Sequence, residues 1–242
     1  MNIVNSVNEF DVYQDERKNT IFSINSKNTS NSISFNNLCL SLFNSIIKSN
    51  NINSGTIIKD NNKILLIIKA TTLKTFAQFK QEEKEKNNTY KLPYITILNI
   101  INSLTKQLFY LLKNESKCFY TFDENNILVV DDCQFVYLSN DHLKEIKNTD
   151  IHIYNPISKN IGYLSPELQN AYSIPIITNY KTIFYSLGLL IINNLLDETI
   201  DYTILNNEDI MSRISTIKDS KLYYFLKRTL YNEPYERYLV FI

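Results

Sequence analysis

Apolar residues recur along this chain with two periods, and the switches between them divide it into elements. Phe10-Asp11-Val12-Tyr13 and Thr20-Ile21-Phe22-Ser23-Ile24 alternate and predict short strands, joined by a turn through Asp15-Glu16-Arg17-Lys18-Asn19. The rest of residues 1–34 is polar, rich in Asn and Ser, and weakly patterned. From Phe35 the period lengthens. Phe35, Leu38, Leu42 and Ile46 stand three or four positions apart, which predicts a helix over 35–48 with Ser34 as its cap. Residues 55–59 and 63–68 flank Asp60-Asn61-Asn62, which tolerate left-handed dihedrals, and so predict a β-hairpin. Its second strand is apolar on both faces and is expected to be buried.

A short helix is predicted over 73–86, ending in the charge run Gln81-Glu82-Glu83-Lys84-Glu85-Lys86. A long amphipathic helix follows over 94–113. Its seam is Ile97, Ile101, Leu104, Leu108 and Leu111, and Pro93 stands near its start. Two strands, 126–130 and 135–138, flank Asp131-Asp132-Cys133-Gln134, acidic turn residues. The stretch that follows reads as irregular up to Ser165-Pro166-Glu167. From Lys181 the pattern is mostly helical and includes the strongly apolar Ile183-Phe184-Tyr185-Ser186-Leu187-Gly188-Leu189-Leu190-Ile191. No internal repeat or Gly/Ser linker interrupts the chain. The expectation is one α+β domain over 1–242.

Composition narrows the function classes. The 242 residues are 44% hydrophobic, with 17 Tyr and 13 Phe, enough for a large core. Basic and acidic residues balance at 25 each, which argues against a general nucleic-acid surface. Cys39, Cys118 and Cys133 are too scattered for a zinc site or a disulfide framework and suit a reducing compartment. His142 and His152 lack an acidic or Cys context and read as surface residues. No basic segment followed by an apolar run marks a signal peptide, and no apolar stretch reads as a membrane span. Cytoplasmic placement is therefore expected. The abundance of Asn, Ile and Lys is that of an AT-rich genome, such as a large DNA virus or certain protists.

The order of elements, with three short strings, resembles a eukaryotic-type protein kinase over about residues 35–242. Ser165-Pro166-Glu167 resembles the end of the activation segment, and the Gly188 helix resembles the buried helix that follows it. Arg237, in Glu233-Pro234-Tyr235-Glu236-Arg237, stands where the family supplies the partner of that Glu. The resemblance implies a two-lobe fold: a reduced β-containing small lobe over 1–70 and a mainly helical large lobe over 71–242. Helix 35–48 would be the regulatory helix, and 70–73 the hinge. Taken alone, Ser-Pro-Glu is also an ordinary helix start, with Ser165 as cap and Pro166 in the first turn. Gly188 alone would serve close helix packing.

Phosphoryl transfer needs a glycine cradle, a Lys–Glu pair, a base and metal ligands. The chain has three glycines, Gly55, Gly162 and Gly188, far apart in sequence. Helix 35–48 contains no Asp or Glu, so the family's Lys–Glu pair cannot form there; Lys69 reads as a solvated hinge residue. Asn126 resembles the metal-binding Asn of the catalytic loop. On that alignment Thr121 replaces the base, Phe119-Tyr120 the His-Arg and Asp123 the loop Lys, and the bracing helix aspartate falls on Ile183. Ser139-Asn140-Asp141 stands in place of Asp-Phe-Gly. The expectation is a pseudokinase: no cofactor and a protein partner, such as a host or viral kinase or a virion component. One alternative is an atypical Ser/Thr kinase using ATP and Mg²⁺ through Asp123, Asn126 and Asp141; another is a structural or virion assembly protein.

Overall fold

The computed structural model describes residues 2–18, 20–27, 32–49, 52, 55–60, 63–159, 162–196 and 207–240. Strands β1 (Asn2–Val7), β2 (Phe10–Gln14) and β3 (Ile21–Ser26) form an antiparallel meander. Helix α1 (Ile33–Lys48) follows, then the antiparallel pair β4 (Gly55–Asp60) and β5 (Lys63–Lys69). Strand β5 inserts beside β3, giving one sheet of order β1-β2-β3-β5-β4. Strand β1 was not legible, being polar and bulged between Ile3 and Asn5. The predicted turn residues Asn19, Asn61 and Asn62 lie outside the described residues.

The alternation in β2 and β3 buries Phe10, Val12, Phe22 and Ile24, and the α1 period buries Leu42, Phe43 and Ile46. The two meet in one core, where the Phe10 and Phe43 rings lie 5.8 Å apart. Helix α1 starts two residues before its predicted start. Ser32, not Ser34, is the cap, its hydroxyl accepting the Phe35 N–H at 3.2 Å.

The second half is built around helix α3 (Tyr94–Tyr110), extended by a π-helical turn (Leu111–Glu115). All five seam residues are buried. By length and composition alone the 22 residues Tyr94–Glu115 would suffice to cross a membrane, which corrects the sequence reading that no stretch does; half of that window is buried in the core. Helix α2 (Phe76–Asn87) begins later than its pattern predicts, because Thr75 forms a capping box. Its hydroxyl accepts the Gln78 N–H while the Gln78 side chain accepts the Thr75 N–H. The preceding residues extend as β6 (Leu73–Thr75), which pairs with β8 (Ile127–Val130) and through it with β9 (Gln134–Tyr137).

The stretch read as irregular supplies two strands of a further sheet. Strands β7 (Lys117–Phe119), β10 (Leu143–Lys147), β11 (Asp150–Ile153) and β12 (Ile176–Asn179) form an antiparallel sheet of order β12-β11-β10-β7. Ile151 and Ile153 face inward in period two, and Asn148 makes the β10–β11 turn at φ +60°. A four-residue turn of helix, α4 (Pro166–Gln169), precedes β12, and the almost wholly buried α5 (Thr182–Leu195) follows it. Helices α6 (Asn207–Arg213) and α7 (Lys221–Thr229) complete a mixed α+β architecture with several antiparallel sheets.

Gly188 lies where α5 meets α7. A Cβ there would stand 2.7 Å from Thr229 Oγ1 and 2.9 Å from Leu230 Cδ2. Gly188→Ala is therefore expected to overpack this contact and cost about 1–3 kcal/mol, lowering the melting temperature by several degrees. An unchanged melt would show that α7 yields without cost.

Candidate functional site

The candidate catalytic-loop residues gather around Tyr137. Its ring stands edge-on between Phe119 and Phe122, each centroid 4.8 Å away. Its backbone is held on both sides by the Gln107 amide of α3, which also donates to Ser45 of α1. A buried phenol must find partners. The Tyr137 hydroxyl accepts from Asp123 N at 3.1 Å and from the Asn126 side chain, and meets His142 Nδ1 at 2.5 Å. His142 is thus half-buried and bonded, not the surface residue its sequence context suggests. Burial, then the nearby Lys144, push its pKa down to about 4. His152, also half-buried, packs on the Tyr154 ring.

Asp123 is buried, and its Oδ1 accepts from Asn125 N and Nδ2, each at 3.0 Å. Asn126 is buried with Oδ1 unpartnered. Thr121 is buried 3.3 Å from Ser186 Oγ, and Ser186 accepts the Phe122 N–H at 2.7 Å. The α5 residue bracing this loop is therefore Ser186 and not Ile183, on which the alignment places it; Ile183 is an apolar core residue. Gly162, at φ +74°, passes so close that a Cβ would lie 2.6 Å from Phe122 O.

Ser139 and Asp141 belong to a different arrangement, which the sequence did not reveal. Glu9, in the β1–β2 turn, reaches across to this segment. Its Oε1 accepts from Ser139 Oγ at 2.8 Å and Asp141 N at 3.2 Å, and its Oε2 from Asn140 N at 3.1 Å. Burial pushes the Glu9 carboxyl up, while the Ser139 bond opposes that. Asn140 also donates to Cys39 Sγ of α1 at 3.0 Å. At the 70–73 connection, Asp131 Oδ1 accepts the Thr71 and Thr72 N–H groups, and Asn5 Nδ2 donates to Leu73 O. Asp131 and Asp132 thus do more than turn the chain, since Asp132 pairs with Lys74.

These contacts decide how Mg²⁺ and a nucleotide would fit. Asn126 Oδ1 is a free acceptor, as a metal ligand would need. Against that, Asp123 Oδ1 is committed to Asn125, and the amides of Asn140 and Asp141 already hold a carboxylate. Among the described residues no group of three or more His, Cys, Asp or Glu is placed to hold a metal ion.

Two further carboxylates hold the scaffold. Glu124 pairs with Lys80 and accepts from Tyr163 Oη at 2.7 Å and Asn194 Nδ2 at 2.9 Å. Burial raises its pKa, but Lys80 and these donors outweigh burial and hold it below the usual value. Glu167 meets Arg237 in a bidentate pair, Nη1 to Oε1 at 2.6 Å and Nη2 to Oε2 at 2.8 Å. The guanidinium is wholly buried, donates also to Tyr231 O and Asn232 O, and lies 4.9 Å from the Tyr185 ring centroid. Ser165, at the α4 cap position, spends its hydroxyl on Thr182 Oγ1 at 2.5 Å and not on the helix.

An open cavity of about 320 Å³ is lined by Tyr120, Thr121, Asp141, His142, Lys144, Ile153 and the loop after β11. No protein-family model and no curated protein matches the chain.

Arg237→Ala should destabilise the fold by about 3 kcal/mol or more, because it strands a carboxylate and empties a buried site. Glu167→Gln should also destabilise it, by leaving the buried guanidinium without its counter-charge. Chemical denaturation reads both, and wild-type midpoints would show the pair to be dispensable.

Acid stability should follow His142. Its folded pKa lies below the ordinary 6.5, at about 4, so in that window the unfolded chain binds the extra proton. The contribution is complete above pH ~6.5 and is lost as the pH falls toward 4. His142→Gln, which keeps an acceptor for Tyr137, should flatten melting temperature against pH over that range; a parallel profile would refute the assignment.

Proposed function

We propose that the chain is a degenerate protein-kinase-like domain that performs no phosphoryl transfer and acts by binding protein. Several features support this reading. A five-stranded sheet carries one helix between its third and fourth strands. A short connection leads to the helical half with α3, the β8–β9 hairpin, the Ser165 turn and buried α5, in that order. The Glu167–Arg237 pair joins the positions that the resemblance couples.

The observation that carries inactivity is Glu9. On this reading the β1–β2 turn covers the phosphates and Ser139-Asn140-Asp141 holds their metal. Here the turn has no glycine, and its carboxylate occupies the amides of that segment. An anion already fixed there repels the phosphates electrostatically and uses the donors they would need. The partner would be an active kinase, host or viral, or a virion component, met in the cytoplasm.

Free Asn126 Oδ1 and exposed Asp141 favour the atypical kinase as the second reading. Mg-ATP separates the two. A binding site at one hundred times its Kd would add about 2.7 kcal/mol of stability; the inactive reading expects no shift in melting temperature. Transfer of radiolabelled phosphate by the wild-type chain, abolished in Asp141→Ala, would overturn it.

A further inference from the structure

The segment that Glu9 closes is built to hold a carboxylate. Three donors converge on that side chain: Ser139 Oγ at 2.8 Å, Asn140 N at 3.1 Å and Asp141 N at 3.2 Å. Bonds that do not involve Glu9 hold these donors in place. Leu138 N donates to Asn126 O at 2.8 Å, Leu143 N to Asn140 O at 3.1 Å and His142 N to Ser139 Oγ at 3.2 Å. Lys144 Nζ donates to Asp141 O at 2.5 Å, Asn140 Nδ2 to Cys39 Sγ at 3.0 Å, and Tyr120 N to His142 O at 3.1 Å.

The carboxylate is positioned separately, by its own sheet. Asn8 and Glu9 form the turn between the paired Val7 and Phe10, and Glu9 O accepts from Lys27 N at 2.8 Å. The backbone of this turn therefore does not need the side-chain contact. Were the Glu9 side chain removed, the three donors would face a gap. Ser139 and Asn140 are buried, and a buried donor left without an acceptor is costly. Glu9 is half-buried, so the gap would be reached from solvent.

The group already there defines the chemistry. Two oxygens of one planar carboxylate share the donors, Oε1 taking Ser139 and Asp141 and Oε2 taking Asn140. The surroundings limit the ligand to one negative charge. Burial raises the Glu9 carboxyl, Ser139 opposes that, and the Asp141 charge adds to it. Burial lowers Lys144, while Asp141 and Glu9 both oppose that shift. Tyr120 and Cys39, raised first by burial, are raised further by Glu9. A dianion in place of Glu9 would meet the Asp141 repulsion twice over.

We infer that Ser139 Oγ–H and the Asn140 and Asp141 N–H groups form a preformed carboxylate site, that Glu9 is its built-in ligand, and that a carboxylate from outside binds there once Glu9 is withdrawn. The wild-type chain is autoinhibited at this site. The site stands on these contacts and does not depend on the kinase resemblance.

The test uses the full chain, with sodium formate as the probe and sodium chloride at equal ionic strength as the control. Glu9→Ala should melt below wild type in chloride and recover in formate, with a gain of about 3 °C or more at about ten times the formate Kd. Wild type should show no gain over chloride, because its tethered carboxylate outcompetes the free one. Glu9→Gln, whose side chain still fills the site, should show none either. Adding Ser139→Ala to Glu9→Ala should weaken formate binding about fivefold. Inorganic phosphate should bind Glu9→Ala less tightly than formate. Equal melting of Glu9→Ala in the two salts, the same formate gain in wild type or Glu9→Gln, or binding indifferent to Ser139→Ala would overturn the site. A Glu9→Ala chain that stays unfolded in molar formate would overturn its preformed character. Tighter binding of phosphate would overturn the single-charge assignment. A second measurement does not need Glu9→Ala to fold. Charge-assisted bonds deshield the donor proton, so the Asn140 and Asp141 amide protons of wild type should move upfield in Glu9→Gln. Amides that stay in place would overturn Glu9 as the ligand. The Mg-ATP result on wild type stands whichever way the formate result falls.

Discussion

The hydroxyl of Tyr137 is the constraint on which the rest of the site depends. Two aromatic rings and the Gln107 amide fix its position, and burial forbids leaving it unbonded. It meets that demand with three partners from two segments: Asp123 N and the Asn126 side chain of one turn, and His142. Those bonds set the turn that carries Asp123 and Asn126, and they decide which nitrogen of His142 bears the proton. Gln107 extends the same constraint to α1 through Ser45. The aromatic core, the loop and the helix of the first sheet are therefore registered through one side chain.

The carboxylates around this hub serve as structure. Glu9 caps amides at 140 and 141, Asp131 caps amides at 71 and 72, Glu124 gathers Lys80, Tyr163 and Asn194, and Glu167 holds Arg237. Each links segments distant in sequence. A charge-assisted bond to an amide is among the stronger hydrogen bonds a fold can make. A carboxylate committed in this way is a poor metal ligand or base, because chemistry would first have to break it away.

The sequence made the long-period elements legible and left the short ones obscure. The seams of α1 and α3 and the apolar α5 follow from spacing alone, and all lie where the pattern puts them. The pairing of Glu167 with Arg237 was an expectation of the resemblance, and the two side chains do meet. Strands β10 to β12 were missed because each has only four or five residues, too few to separate alternation from chance. The turn at Asn148 was the available signal. Glu9 and Ser186 could not be found by spacing, since the fold brings them partners far away in sequence, and the turn residues that meet Tyr137 follow no period. Thr75 with Gln78 was the overlooked local signal, a capping box that sets the start of α2.

Asp141 joins two environments that would otherwise be separate. Its amide belongs to the Glu9 junction, and its side chain belongs to the cavity where Lys144 stands. Ser139 makes the same link through one oxygen, donating to Glu9 and accepting from His142 N at 3.2 Å. A shift of the β1–β2 turn would therefore move the backbone that carries His142 and Asp141, two walls of the cavity.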